Sequence, residues 1–264
     1  MSDAYGWATP GQRHRSRHLP SPIFLVILAV FIGSGWCLWA SVGSNRLMAF
    51  LFVLAGWVVS LCLHEFSHAL TAYRYGDRGV AERGYLTLNP LKYTHLAYSI
   101  VLPLLFVILG GIGFPGGAVW VDRSAFRSKY ADSVVSAAGP LTNAIIAVVS
   151  MVLIAGSGVA NFNHFAFWSA LSFLTFLQIT ATVLNSLPVP GFDGYGVVEP
   201  WLPQQWKRAV APVAPYAFLV LFALLWLPPV NHAFFSFVLW IMELFGVPTA
   251  LVSVGDSLFR FWLS

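Results

Sequence analysis

The stretch LFVLAGWVVSLCLHEFSHALTAYRYG, residues 51–76, decides the fold. Seventeen uncharged residues, 47–63, lead up to His64, and the same apolar run then carries Glu65 and His68. A helix this apolar reads as a membrane span. A carboxylate and two imidazoles within it are costly to bury and therefore mark a functional site.

The rest of the chain has the same character. Of its 264 residues 58% are hydrophobic and only 9% charged, too few polar groups to cover the surface of a soluble protein of this size. Uncharged runs cover 18–45, 47–63, 93–121, 133–192 and 209–242. A span needs about 20 apolar residues, so the 60-residue run 133–192 holds two, and the last run can hold two if bent at Pro228 and Pro229. The expectation is an α-helical polytopic membrane protein with about six transmembrane helices, and the lipid bilayer is its first partner. Residues 1–20 read as a basic cytoplasmic arm and 21–264 as a single membrane domain.

The net charge of +4 does not indicate nucleic acid. Lysines and arginines cluster in short loops beside apolar runs, which is the pattern that sets membrane orientation. Cys37 and Cys62 fall in apolar runs and read as reduced thiols rather than a disulfide. Nothing in the sequence specifies an oligomeric state. Helices are expected near 22–43, 47–73, 133–157 and 166–187. Short strand and turn are expected between Arg74 and Tyr93, where YLTL alternates among glycines. Residues 96–121 are apolar but broken by Pro103, GGIG and FPGGAVWV, which makes a clean spanning helix doubtful. The final turns, SVGDSLFRFWLS, read as an interfacial segment.

HEFSH, residues 64–68, has the form H-E-x-x-H. Positions i and i+4 share a helix face, so His64 and His68 can offer two nitrogens to one Zn²⁺, with Glu65 beside the metal as a base. A catalytic zinc takes a third protein ligand. His14 and His18 lie in the basic arm, His164 in a turn, and His232 after a proline pair; His95 starts the interrupted segment. Asp193 stands apart, because it ends the longest uncharged stretch of the chain, just before Gly194. Asn143 and Asn185 are amides within apolar runs. They serve either as hydrogen-bond links between helices or as groups that hold a substrate backbone or a developing oxyanion.

Over roughly residues 47–200 the chain resembles the site-2 proteases, intramembrane zinc metalloproteases, in the compact bacterial form without an appended soluble domain. HEFSH matches the metal motif of that family, AAGPLTN (137–143) its G-P-x-x-N motif, and NSLPVPGFDG (185–194) its N-x-x-P-x-P-x-x-D-G motif. Gly191 and Phe192 depart from the usual proline and leucine of the last motif, and Leu96-Ala97 depart from the usual residues after the position of His95.

The resemblance implies that His64, His68 and Asp193 bind Zn²⁺ and that Glu65 polarises a water. It implies hydrolysis of a peptide bond in or near the transmembrane helix of a single-span substrate, in regulated intramembrane proteolysis, with a catalytic core at about 47–200. The contrasting reading is a non-hydrolytic metal-ion carrier or sensor using the same residues. A carrier calls for acidic or histidine residues along a path through several spans, and 133–192 and 209–242 contain no Asp or Glu. Arg13, Arg15 and Arg17 place the N-terminus in the cytoplasm of a plasma-membrane protein, with the active site toward that side. For Asp193 to meet His64, residues 96–121 must enter the membrane and return as a re-entrant helix and strand.

Overall fold

A computed structural model of the chain describes residues 19–93, 105, 107–108, 119–158 and 163–263. The basic arm, apart from Leu19 and Pro20, lies outside the described residues, as do His95, GGIG and most of FPGGAVWV.

Four long helices make the framework: α1 (Pro22–Ala40), α2 (Asn45–Tyr75), α3 (Lys129–Gly156) and α4 (Phe165–Asn185). Each begins or ends where local chemistry dictates. The Ser21 hydroxyl accepts the Phe24 amide at the start of α1, and Pro22 follows at a position where no amide hydrogen is needed. Ser128 caps α3 in the same way through Ala131 N–H. Helix α2 stops at Gly76, whose φ of 120° no L side chain favours. Pro140 sits inside α3, which continues past it to Gly156.

Helix α2 is the central element, packed against α1, α3 and α4. It crosses α1 and α4 so closely at Gly56 that a Cβ there would fall 2.7 Å from both Leu174 and Phe31. Helices α2 and α4 run parallel: Phe52 meets Phe167, Gly56 meets Leu174, and Gln178 Nε2–H donates to Ser60 Oγ at 2.8 Å. Helices α1 and α3 run the other way. Trp57, Phe173, Leu177, Met151 and Ile154 form the core between them.

After α4 the chain forms the short helices α5 (Asp193–Val198) and α6 (Gln204–Val210), then α7 (Ala214–Leu225), α8 (Pro228–Leu244) and α9 (Ala250–Phe259). Among the described residues four helices are long and apolar enough to cross a membrane, or five if the bent pair α6 and α7 counts as one span. The described residues therefore account for four or five of the six expected spans. A break between helices falls at Trp226 and Leu227, just before Pro228, and α8, at 17 residues, is about 25 Å long.

Two local expectations change. Tyr85–Thr87 is a 3₁₀ turn rather than a strand, because Gly84 and Leu88 on either side adopt positive φ and leave the backbone no extended run to pair. The segment expected at the interface instead supplies most of α9, which packs on α4 so tightly that Gly255 has no room for a side chain beside Phe173 and the Ser169 carbonyl.

The connection from α2 to α3 leaves and returns on one side of the bundle. Asp77, two residues past the end of α2, accepts the Asp122 amide at 2.8 Å, and a Cβ on Gly76 would lie 3.0 Å from the Ala125 carbonyl oxygen.

Candidate metal centre

Helix α2 places His64 and His68 one turn apart, both buried, with their Nε2 atoms 3.1 Å from each other. The opposite nitrogen of each ring meets α3. His68 Nδ1 lies 2.7 Å from the Val135 carbonyl oxygen and His64 Nδ1 lies 3.3 Å from Asn143 Oδ1. A carbonyl oxygen only accepts, so each Nδ1 carries the proton and each neutral ring presents the Nε2 lone pair inward.

Asp193 reaches the same point from the start of α5. Its two carboxylate oxygens lie 3.2 Å from His64 Nε2 and 3.3 Å from His68 Nε2. Gly194 allows this approach: a Cβ there would fall 2.5 Å from the Leu187 carbonyl oxygen and closer still to that of Ser186. Asp193 lies outside the spanning helices.

Two lone pairs and a carboxylate converging in this way need positive charge between them. Ligand atoms about 2.0–2.1 Å from a tetrahedral zinc stand about 3.3 Å apart, close to the three separations found here, whereas charge-assisted hydrogen bonds are typically 2.7–2.9 Å. His64, His68 and Asp193 are the one such group among the described residues, with one ligand atom from each within 4.8 Å of the others. The donor set and its spacing fit a zinc ion.

Gly139 lies against the inward Nε2 edges of the two rings. A Cβ on it would lie 2.5 Å from His64 Nε2 and nearer to His68 Nε2, so only glycine permits α3 to pass here. That is the physical content of the glycine in AAGPLTN.

Glu65 is 1% exposed. The Val119 amide donates to its Oε2 at 3.0 Å, which fixes one oxygen and leaves the other for a reactant. A cavity of about 490 Å³ opens on Glu65, His68 and Asp193 and is also lined by Val119, Phe126 and Tyr195. Asn185, buried at the end of α4, has no described hydrogen bond to the three ligand residues. Cys62 and Cys37 are free thiols. Tyr93 O–H donates to the Cys62 carbonyl at 3.2 Å and so braces α2 two residues before His64; burial first, with Cys62 and Glu65 adding to it, pushes that phenol up and keeps the donor protonated.

The sequence contains neither the Asn143 contact to His64 nor the Val119 contact to Glu65 as a readable spacing. The first joins positions 79 residues apart and the second 54.

Comparison with known proteins finds relatives along most of the chain, all named "Putative zinc metalloprotease". Rip2 of Mycolicibacterium smegmatis is 49% identical over 249 residues, covering 92% of this chain and 94% of the relative. Rip2 of Mycobacterium tuberculosis H37Rv is 44% identical over 256 residues, 96% and 97% of the two chains. YwhC of Bacillus subtilis is 30% identical over 197 residues, 70% of this chain and 82% of its own. No family model and no solved structure matches the chain.

Proposed function

The chain belongs to the site-2 protease family of zinc metalloproteases, and from that premise we propose that it hydrolyses a peptide bond in or near the transmembrane helix of a single-span membrane protein. The observation that carries this reading is the meeting of His64, His68 and Asp193 beside a buried carboxylate that is not needed as a ligand. Regulated intramembrane proteolysis is the process that such a reaction serves.

His64, His68 and Asp193 hold the zinc, which when bound supplies Lewis acidity and lowers the pKa of a water toward about 7. Glu65 takes the proton of the attacking water and later delivers it to the leaving amine. The Val119 amide holds the Glu65 carboxylate in the orientation for both transfers. Asn143 acts through His64, by fixing its Nδ1–H tautomer and ring plane. Asn185, buried at the end of α4, is the remaining amide for a substrate backbone.

The re-entrant path expected for residues 96–121 lies mostly outside the described residues, and its described end supports it. Val119 sits at the level of Glu65, and three residues later Asp122 is bonded to Asp77, so the chain descends along α2 toward the side from which it left. That side is the cytoplasm, given Arg74, Arg78, Arg83, Lys92, Arg123, Arg127 and Lys129 at it. Glu65 to Tyr75 is ten residues of α2, about 15 Å, which sets the depth of the site below that surface.

A carrier would not require Glu65, and the absence of Asp and Glu from residues 133–192 leaves α3 and α4 without stepping stones beyond the site. The test is Glu65→Gln in purified protein. It should keep one zinc per chain and lose all cleavage; full proteolysis by the zinc-loaded variant would remove Glu65 from the mechanism.

A further inference from the structure

Each histidine is fastened to α3, yet Asp193 comes from α5, a helix of only six residues. Helices this short have little stability of their own, so contacts elsewhere must fix where Asp193 points. Those contacts also lead to α3. Ser133 O–H donates to the Val197 carbonyl at 2.7 Å, in the last turn of α5, where that carbonyl has no partner within the helix. The same Ser133 oxygen accepts Trp201 Nε1–H at 2.8 Å. Between these bonds and Asp193, Gly196 rests on Ser136, where a Cβ would fall 2.5 Å from the Ser136 hydroxyl. The Trp201 ring stands edge-on to Tyr130, at 6.5 Å, one turn before Ser133.

We infer that Ser133 and Trp201 are positioning residues for the metal centre: they clamp the Asp193 helix to α3, so that one helix aligns all three ligands. Val135 carries His68, Asn143 carries His64, and Ser133 carries Asp193 through Val197. The Ser133 hydroxyl is used on both sides, as donor to α5 and as acceptor from Trp201. Removing it leaves the backbone of α5 free to shift. Two imidazoles alone then face the metal until the carboxylate is drawn back, and that reordering lowers the affinity. Arg123, which pairs with Glu199 at 2.9 Å on the outer side, adds a more exposed second tie.

This inference rests on His64, His68 and Asp193 being the zinc ligands, and the experiment separates the two claims. The full-length protein in detergent is stripped with a chelator and titrated with Zn²⁺ against a fluorescent competitor; thermal unfolding of the zinc-free protein is followed in parallel. Ser133→Ala and Trp201→Phe should each weaken zinc binding about 10–100-fold, the range found when groups that orient a metal ligand are lost. The double variant should be no weaker than Ser133→Ala, since both bonds end on one hydroxyl. Ser133→Thr, which keeps that hydroxyl, should stay within a few-fold of wild type, and zinc-free unfolding should be the same in all. Zinc affinity unchanged in Ser133→Ala while His68→Ala loses the metal overturns the clamp alone. Unchanged affinity in His68→Ala overturns the metal centre beneath it. A loss in Ser133→Ala matched by equal destabilisation of the zinc-free protein overturns the positioning role in favour of a merely structural one.

Discussion

A methyl group at residue 139 would occupy the space into which both imidazole Nε2 atoms point. Alanine favours a helix over glycine by about 1 kcal/mol, so Gly139→Ala should keep α3 and even stiffen it. The rings, however, are pinned from behind by Val135 and Asn143 and cannot both retreat. We expect Gly139→Ala to bind zinc at least 100-fold more weakly with an unchanged helical circular dichroism spectrum; stoichiometric zinc in the purified variant would show that the rings yield. Asn143 behaves differently. Asn143→Ala should cost about 10–100-fold in zinc affinity, while Asn143→Asp, which still accepts from Nδ1–H, should recover most of it. At this scale the three residues that converge were legible, because His64 and His68 stand out by i, i+4 spacing and Asp193 by breaking a 60-residue uncharged run. Their supports were not. A glycine in AAGPLTN has many reasons to exist, and its true one, two rings 71 and 75 residues earlier in the chain, exists only after folding.

Among the elements, residues 119–122 carry the clearest consequence. The Val119 amide is the described donor to the Glu65 carboxylate, and a proline there has no N–H to give. Val119→Pro should lower kcat about tenfold or more while zinc content stays at one per chain, as read from initial rates and metal analysis on the same preparation. Unaltered kcat would mean that the carboxylate is oriented by another group. Helix positions were legible to within a few residues because long apolar runs and capping residues bound them: Ser21-Pro22 opens α1 and Gly76 ends α2. The strand expected in YLTL failed since period-2 alternation over four residues is weak information. Positive φ at Gly84 and Leu88, a backbone property that leucine does not advertise, turns the segment into a 3₁₀ coil. Helix α9 was misplaced for another reason. Asp256 and Arg260 make its sequence look interfacial, yet these two charges satisfy each other four residues apart while Leu251, Val252 and Phe259 enter the core.

At the scale of the whole molecule, α2 and α4 run in parallel and in contact, and bring His64, His68 and Asp193 to one end, with α3 packed against both helices. Orientation in the membrane follows from loop charge. With Cys37 and Cys62 replaced, single cysteines at Ser128 and Asn161 should differ toward an impermeant thiol reagent on intact cells: position 161 labels and position 128 does not. Labelling at 128 alone would reverse the orientation and remove the re-entrant path of residues 96–121. Hydrolysis inside a membrane-embedded helix with Glu65 as base is read out by fragment mapping. Wild type and Glu65→Gln are each co-expressed with candidate single-span membrane proteins, and membrane fragments are compared by mass spectrometry. A fragment pair is expected whose new ends fall within or at the edge of the substrate's apolar segment, present with wild type and absent with the zinc-loaded variant. Identical fragments from both, or new ends only in soluble regions far from the bilayer, would contradict it.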